Sequence, residues 1–220
     1  IRERSGLPLD PMFTAAKARW LLDTMPGGQG RAERGEICIG TVDAWILSHF
    51  GGAVIEVGNA SRTQLLDTRK AAWDPDLLAL FGVPEAALPR VVPSIGPFPA
   101  VRGLPPIADG TPVLAVMGDS HAALFGHGAF SLGGVKATYG TGSSVMGLID
   151  DVARLDPGLC LTIAWAIDRP AFAAEGNIRA TGATLRWAAD LFGVTPAVLA
   201  DLAAAASSDG VSVIPAFNGL

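Results

Sequence analysis

The sequence predicts an α/β fold, and three observations carry that prediction. Apolar residues recur at helical spacing as far as about Pro93. Proline and glycine then crowd residues 92–110, where no regular period survives, and beyond them apolar runs of strand length alternate with helical patterns. The proline- and glycine-rich stretch divides the chain into residues 1–93 and 111–220, with 94–110 as a linker between two domains.

The first part reads as a helical layer. In TAAKARWLLDTM the residues Ala15, Ala18, Leu21, Leu22 and Met25 share one face, and Thr14 is placed to cap it. PGGQGRAERGE follows as a turn and a short helix. GTVDAWILSHFGG gives another helix, with Val42, Trp45, Ile46 and His49 or Phe50 on its apolar side and Gly51-Gly52 as the stop. AVIEV is extended, residues 59–63 read as a surface loop in which Arg62 is one candidate for a phosphate, and Asp74 caps a short helix through PDLLALFG.

Past the linker, PVLAVMGD reads as a buried strand ending at Asp119 and SHAALFGHGAF as a helix. VKATYG and SVMGLID are two strands joined at Thr141-Gly142, and CLTIAWAI and AFAAEGN form a hairpin turning at residues 168–170. Helices over 178–191 and 196–206 and a strand in VSVIPAF complete the pattern. A strand as the last element leaves a sheet edge unpaired, which proteins normally cover, so the sequence reads as a piece of something longer.

Composition narrows the function. The 220 residues are 50% hydrophobic, enough for a sizeable core, and the net charge of −5 comes without a lysine/arginine block, which argues against a nucleic acid or an anionic membrane as partner. Cys38 and Cys160 lie far apart without metal-ligand spacing and read as reduced, buried thiols. The five tryptophans, Trp20, Trp45, Trp73, Trp165 and Trp187, read as packing residues. No run approaches the roughly 18 apolar residues of a membrane span and the charged opening is unlike a signal peptide, which makes the cytoplasm the expected compartment.

Two features carry chemistry. Gly140-Thr141-Gly142 is a turn where backbone N–H groups approach an anion closely, with Thr141 and Ser143 adding hydroxyls, although an ordinary tight turn has the same composition. It lacks the lysine of a P-loop. Asp119, at a strand end before a helix, is either the N-cap of that helix or a carboxylate that takes the proton of an attacking hydroxyl, and the two roles are compatible. His121 and His127 are six residues apart, on different helix faces, which disfavours a metal pair; His121 is a candidate for contact with a polar substrate or simply a surface histidine. Glu175 and Asp43 are read as partners for basic neighbours.

These stretches resemble the FGGY family of carbohydrate kinases and, within it, the glycerol kinase branch. The likeness rests on SGLPLDPMFTAAKARWLLD, GTVDAWIL, NASRTQLLD, WDPDLLALFGVPEAALPRV, GDSHAALFGHG, KATYGTGSS, LTIAW, AEGNIRATGATLRW and VIPAFNGL, in the family's order across nearly the whole chain. It implies an actin-like, ribonuclease-H-like two-domain fold, with residues 1–93 ending the first, substrate-binding domain and residues 111–220 beginning the second, nucleotide-binding one. It also implies ATP and magnesium, a small polyol or sugar as acceptor and a homodimer. By the same resemblance Asp119 is the general base, Met12, Ser120, His121 and Ser144 surround the acceptor, Gly140, Thr141 and Gly142 face the ATP phosphates, and Gly182 and Arg186 lie near the nucleotide.

Departures from the family refine the expectation. Met12 stands where glycerol kinases have an aromatic residue, Ser120 where they have glutamine and Ser144 where they have phenylalanine. The three together predict a roomier, more polar pocket for a four- or five-carbon polyol or ketose, with glycerol as the alternative. Arg186 replaces a neutral amide, and RGLPPIADG lacks the glycine-arginine stretch through which some glycerol kinases bind a sugar-bisphosphate inhibitor, so that regulation is not expected. The family's early DxGT-type phosphate motif and its late glycine-rich adenosine motif have no counterpart. The chain therefore reads as the middle of such an enzyme, nearly inactive by itself, and a non-catalytic relative with the same fold is the competing reading.

Overall fold

The computed structural model describes residues 1–217, and its helical first half opens with α1 (Arg2–Ser5) and α2 (Thr14–Thr24). Ala15 and Ala18 of α2 pack with Leu65, Leu78 and Val83 and Leu22 is buried, as their spacing predicts, but Leu21 of the same expected face is exposed. Thr14 is the first residue of α2 and Phe13 takes the cap position. After α3 (Gly28–Glu33) and α4 (Val42–His49) the chain enters β1 (Val54–Glu56), a one-turn helix α5 (Val57–Ala60) and two short strands, β2 (Leu66–Asp67) and β3 (Ala72–Trp73). Next comes α6 (Pro75–Phe81), started by the expected cap: the Asp74 carboxylate accepts from the N–H groups of Asp76 and Leu77, both at 2.9 Å. β4 (Arg90–Val92) pairs in parallel with β1.

The second half starts at α7 (Asp119–Gly126) and builds one antiparallel sheet from β5 (Val135–Tyr139), β6 (Ser143–Ile149), β7 (Cys160–Ala166) and β8 (Pro170–Ile178), in the order β5-β6-β8-β7. Two helices, α8 (Gly182–Leu191) and α9 (Pro196–Ala204), follow. Every residue of β7 is buried, although it is the last strand of its sheet, because the first half covers its edge. Leu161 N–H donates to the Gly6 carbonyl at 2.8 Å, Ile163 N–H to Ser61 Oγ at 3.2 Å and Ala166 N–H to Ser94 Oγ at 2.9 Å. Ile163 and Ala166 share a core with Ile55, Val57, Ala60 and Leu66, so one apolar core spans residues on both sides of the 94–110 stretch.

Several expectations are corrected. PVLAVMGD forms no ladder: Val116 N–H donates to the Ser94 carbonyl at 2.9 Å and Val113 and Val116 pack against Leu47, Val54 and Val92, but Leu114 is 74% exposed. VSVIPAF likewise forms no strand over the described residues 211–217, and the last three residues of the VIPAFNGL match lie outside the described range. The helix expected from residue 178 begins at Gly182, since β8 continues to Ile178 in register with Ser143.

The expected apolar face of α4 is exposed at Val42, Trp45 and Ile46, while Ala44 and Leu47 are buried. Trp20, Trp45 and Trp187 are at least half exposed, whereas Trp165 is buried and the half-buried Trp73 packs against two core clusters. Cys38 is exposed and Cys160 buried, both as free thiols. Residues 59–63 are no surface loop: Ala60, Ser61 and Thr63 are buried, and Arg62 pairs with Glu175 at 2.6 Å while lying 5.3 Å over the Phe13 ring. Asp43 binds backbone, not a basic side chain, through Glu56 N–H at 2.9 Å.

Candidate active site

The Gly140–Gly142 turn and the start of α8 lock each other. Gly182 N–H donates to the Gly140 carbonyl at 3.0 Å, and Thr181 and Ala183 N–H donate to the Thr141 carbonyl at 2.9 and 3.2 Å. This contact requires glycine at 182, because a Cβ there would stand 2.5 Å from the Gly140 oxygen. The Gly140 and Thr141 carbonyls are thus directed at the helix, while the Gly142 carbonyl accepts from Gly140 N–H at 2.9 Å. The N–H groups of Thr141 and Gly142 donate to no acceptor among the described residues. Ser143, expected to add a hydroxyl donor, instead shares a hydrogen bond of 2.6 Å with the Thr181 hydroxyl.

Gly140, Thr141, Gly182 and Arg186 line one groove of about 520 Å³ together with Ala183, Trp187 and Asp190. Four of the five residues expected at a nucleotide therefore meet in one place. Gly142 instead lines a second groove, of about 490 Å³, that holds Met12 and Ser144. Met12 is 53% exposed there, and Phe13 is the one aromatic residue among the described residues lining this groove, so positions 12 and 144 add no ring to it. Arg179 crosses this groove to pair with Asp10.

Asp119 opens α7. Gly118 occupies the cap position, so the Asp119 carboxylate is exposed in the first helical turn and accepts from Ser120 N–H at 2.7 Å. It lines a third groove, of about 570 Å³, with Asn59, Gly118 and apolar residues of α4. The residues expected around an acceptor therefore do not all line one cavity: Asp119 is in one groove, Met12 and Ser144 are in another, and Ser120 lines neither of the two.

His121 is not a surface histidine. Its ring is 3% exposed, with Nε2 held 3.0 Å from Thr162 Oγ1, which in turn lies 3.0 Å from Ser61 Oγ. Burial first, then the nearby Arg62 charge, pushes its pKa down to about 4, so the ring is neutral. Beside it Glu56 is fully buried, and its carboxylate accepts from Gly58 N–H, Asn59 N–H, Asn59 Nδ2 and Ser94 Oγ at 2.6 to 3.0 Å. Burial raises its pKa, against the opposing effect of those donors.

Sequence reasoning missed Glu56 and Asn59. The available signal was a lone carboxylate inside the apolar run AVIEV followed by Gly58 and Asn59, an N-cap arrangement with glutamate in place of the usual shorter residues.

The family model for the N-terminal domain of the FGGY family of carbohydrate kinases matches residues 1–126. An apulose kinase of Pectobacterium atrosepticum is 45% identical over all of this chain and 46% of its own length. A glycerol kinase of Acidiphilium cryptum is 39% identical, again over all of this chain and 46% of its own. The crystal structure of Plasmodium falciparum glycerol kinase with ADP superposes with a TM-score of 0.89 at 28% identity, covering 100% of this chain and 45% of that one. The chain spans about half the length of the curated relatives it matches.

Proposed function

The chain belongs to the FGGY family of carbohydrate kinases, and from that premise we propose that it supplies central parts of an enzyme that phosphorylates a hydroxyl of a small polyol or sugar with ATP. Its fold is the actin-like, ribonuclease-H-like fold of those kinases, present in part. The observation that carries the reading is the Gly140–Gly142 turn docked on α8. It leaves the Thr141 N–H without an acceptor in the groove shared with Gly182 and Arg186, and the Gly142 N–H without one at the groove that holds Met12 and Ser144.

In this reading the N–H groups of Thr141 and Gly142 hold phosphate oxygens, and Gly182 and Arg186 lie along the nucleotide. Asp119 receives the acceptor's hydroxyl proton as that oxygen forms its bond to the γ-phosphorus, while the bond to ADP breaks. The described residues contain no group of three metal-ligating side chains, so magnesium would be held chiefly by the phosphates, whose charge it neutralises. Residues 1–93 would belong to the acceptor domain and 111–220 to the nucleotide domain, each completed by further chain.

The acceptor is more polar and larger than glycerol in this reading, because Met12 and Ser144 leave the groove they share with Phe13 without an aromatic ring at either of those two positions. The 45% identity to an enzyme named for apulose, against 39% to a glycerol kinase, supports the same preference. A cytoplasmic homodimer fits an ATP-dependent enzyme with free thiols, and among the described residues no single helix is long and apolar enough to cross a membrane.

The test is a coupled assay of the full-length kinase with ATP and a panel of three- to five-carbon polyols and ketoses, beside its Asp119→Asn variant. The expected result is turnover on a four- or five-carbon member, reduced about a thousandfold by the substitution with ATP affinity unchanged. Equal loss of rate and ATP affinity would remove Asp119 from the base role, and no turnover on any acceptor would favour a non-catalytic relative.

A further inference from the structure

Asp119 stands on a short segment that is clamped from below. Gly118, just before it, has backbone angles of −62° and 151°, which any residue adopts, yet a Cβ at this position would lie 2.9 Å from Asn59 Oδ1. That oxygen is not free to swing away. The other end of the amide, Nδ2, donates to the buried Glu56 carboxylate at 3.0 Å, and Asn59 N–H donates to the same oxygen at 2.8 Å. The second Glu56 oxygen accepts from Ser94 Oγ at 2.6 Å, and the Ser94 carbonyl accepts from Val116 N–H at 2.9 Å. One buried carboxylate thus reaches the backbone around Asp119 by two routes, through Asn59 to Gly118 and through Ser94 to Val116.

We propose that Asn59, fixed by Glu56, is a positioning residue that sets the place of Asp119 by packing its amide oxygen against Gly118. The proposal rests on the reading of Asp119 as the base. Asn59, Gly118 and Asp119 line the same groove, so the contact lies directly beside the carboxylate it would position. A fully buried carboxylate without a cation among its hydrogen-bond partners is costly to keep, and four donors converge on Glu56 to hold it. An arrangement that only needed to start the one-turn helix α5 would be met by a serine or an aspartate. The extra reach of glutamate is what allows one carboxylate to orient both Asn59 and Ser94.

Two substitutions in the full-length kinase test this, each read as kcat and KM with circular dichroism and thermal melts as controls on folding. Asn59→Ala removes the wedge, and kcat should fall about tenfold with the KM for ATP within about twofold, since small misplacements of a reacting group cost rates of this order. In an Asp119→Asn background the same substitution should cost nothing further, because its only route to the reaction is gone.

Gly118→Ala drives a methyl group into the locked oxygen, and kcat should fall by up to about a hundredfold. Adding Asn59→Ala to it should restore part of that loss, a rescue that a purely structural contact elsewhere would not give. Equal losses from Asn59→Ala in both backgrounds, or full activity of Gly118→Ala, would overturn the proposal while leaving Asp119 as the base. Full activity of Asp119→Asn would instead remove the base reading itself.

Discussion

Replacing His121 with glutamine should flatten the acid side of this protein's stability profile. The imidazole is buried and neutral, and its burial, with Arg62 and then Lys136 acting in the same direction and Asp119 opposing, holds its pKa at about 4 against an ordinary value of 6.5. The unfolded chain takes up a proton at this residue near pH 6.5, whereas the folded one resists until about pH 4. Between those values the unfolded state binds more protons, so stability falls as pH falls and the loss is complete below about pH 4. At about 1.4 kcal/mol per pH unit, a fall from 6.5 to about 4 amounts to roughly 3 kcal/mol, most of it already lost at pH 4.5.

Glu56 works in the opposite sense, because a carboxyl with a raised pKa is protonated more easily in the folded state, but it is common to both proteins and cancels in their difference. Urea midpoints of the full-length protein and of His121→Gln at pH 7.5 and 4.5 check this. The variant should lose about 2 to 3 kcal/mol less on acidification than the parent. Equal losses would refute the reasoning, since the buried neutral ring would then contribute nothing to acid lability.

Three further outcomes follow from the geometry. Gly182→Ala places a methyl group 2.5 Å from the Gly140 oxygen, so the turn must separate from α8, and the KM for ATP should rise about tenfold or more while acceptor KM changes little. Asp74→Ala removes a buried cap that holds the N–H groups of Asp76 and Leu77 and also accepts from Arg4, and should cost about 2 kcal/mol in denaturant melts without altering kinetic constants. Met12→Tyr with Ser144→Phe should move acceptor preference toward glycerol across a polyol panel, and an unchanged ranking would dismiss the pocket argument.

What the sequence revealed depends on whether the stabilising partner was local. The Asp74 cap, the β5–β6 hairpin and the β7–β8 hairpin each draw their partners from a few residues away, so spacing and turn residues were enough to find them. PVLAVMGD and VSVIPAF have strand composition, but a strand exists only beside another, and no composition reveals whether one is there. The grouping of Gly140, Thr141, Gly182 and Arg186 was legible only through family resemblance, since about forty residues separate the turn from α8. Asn59, Glu56 and His121 were misjudged for one reason. Polar residues next to glycine and serine look solvent-exposed, and only the packing of β7 against α5 turns that run into an interior.

In the proposed function, the docking of the turn on α8 would also account for how three residues without a cation suit a phosphate. A hairpin tip carries carbonyls as well as N–H groups, and a carbonyl facing the groove would repel an anion as strongly as an N–H group attracts it. Here the Gly140 and Thr141 carbonyls are occupied by the N–H groups at the start of α8, while the Thr141 and Gly142 N–H groups keep no acceptor of their own. In the proposed function the helix would thus act on the phosphate through the turn, its first N–H groups occupying the oxygens that would oppose binding. Glycine at 182 is what lets the two backbones come that close, so in the proposed function a determinant of phosphate binding would lie about forty residues beyond the turn itself.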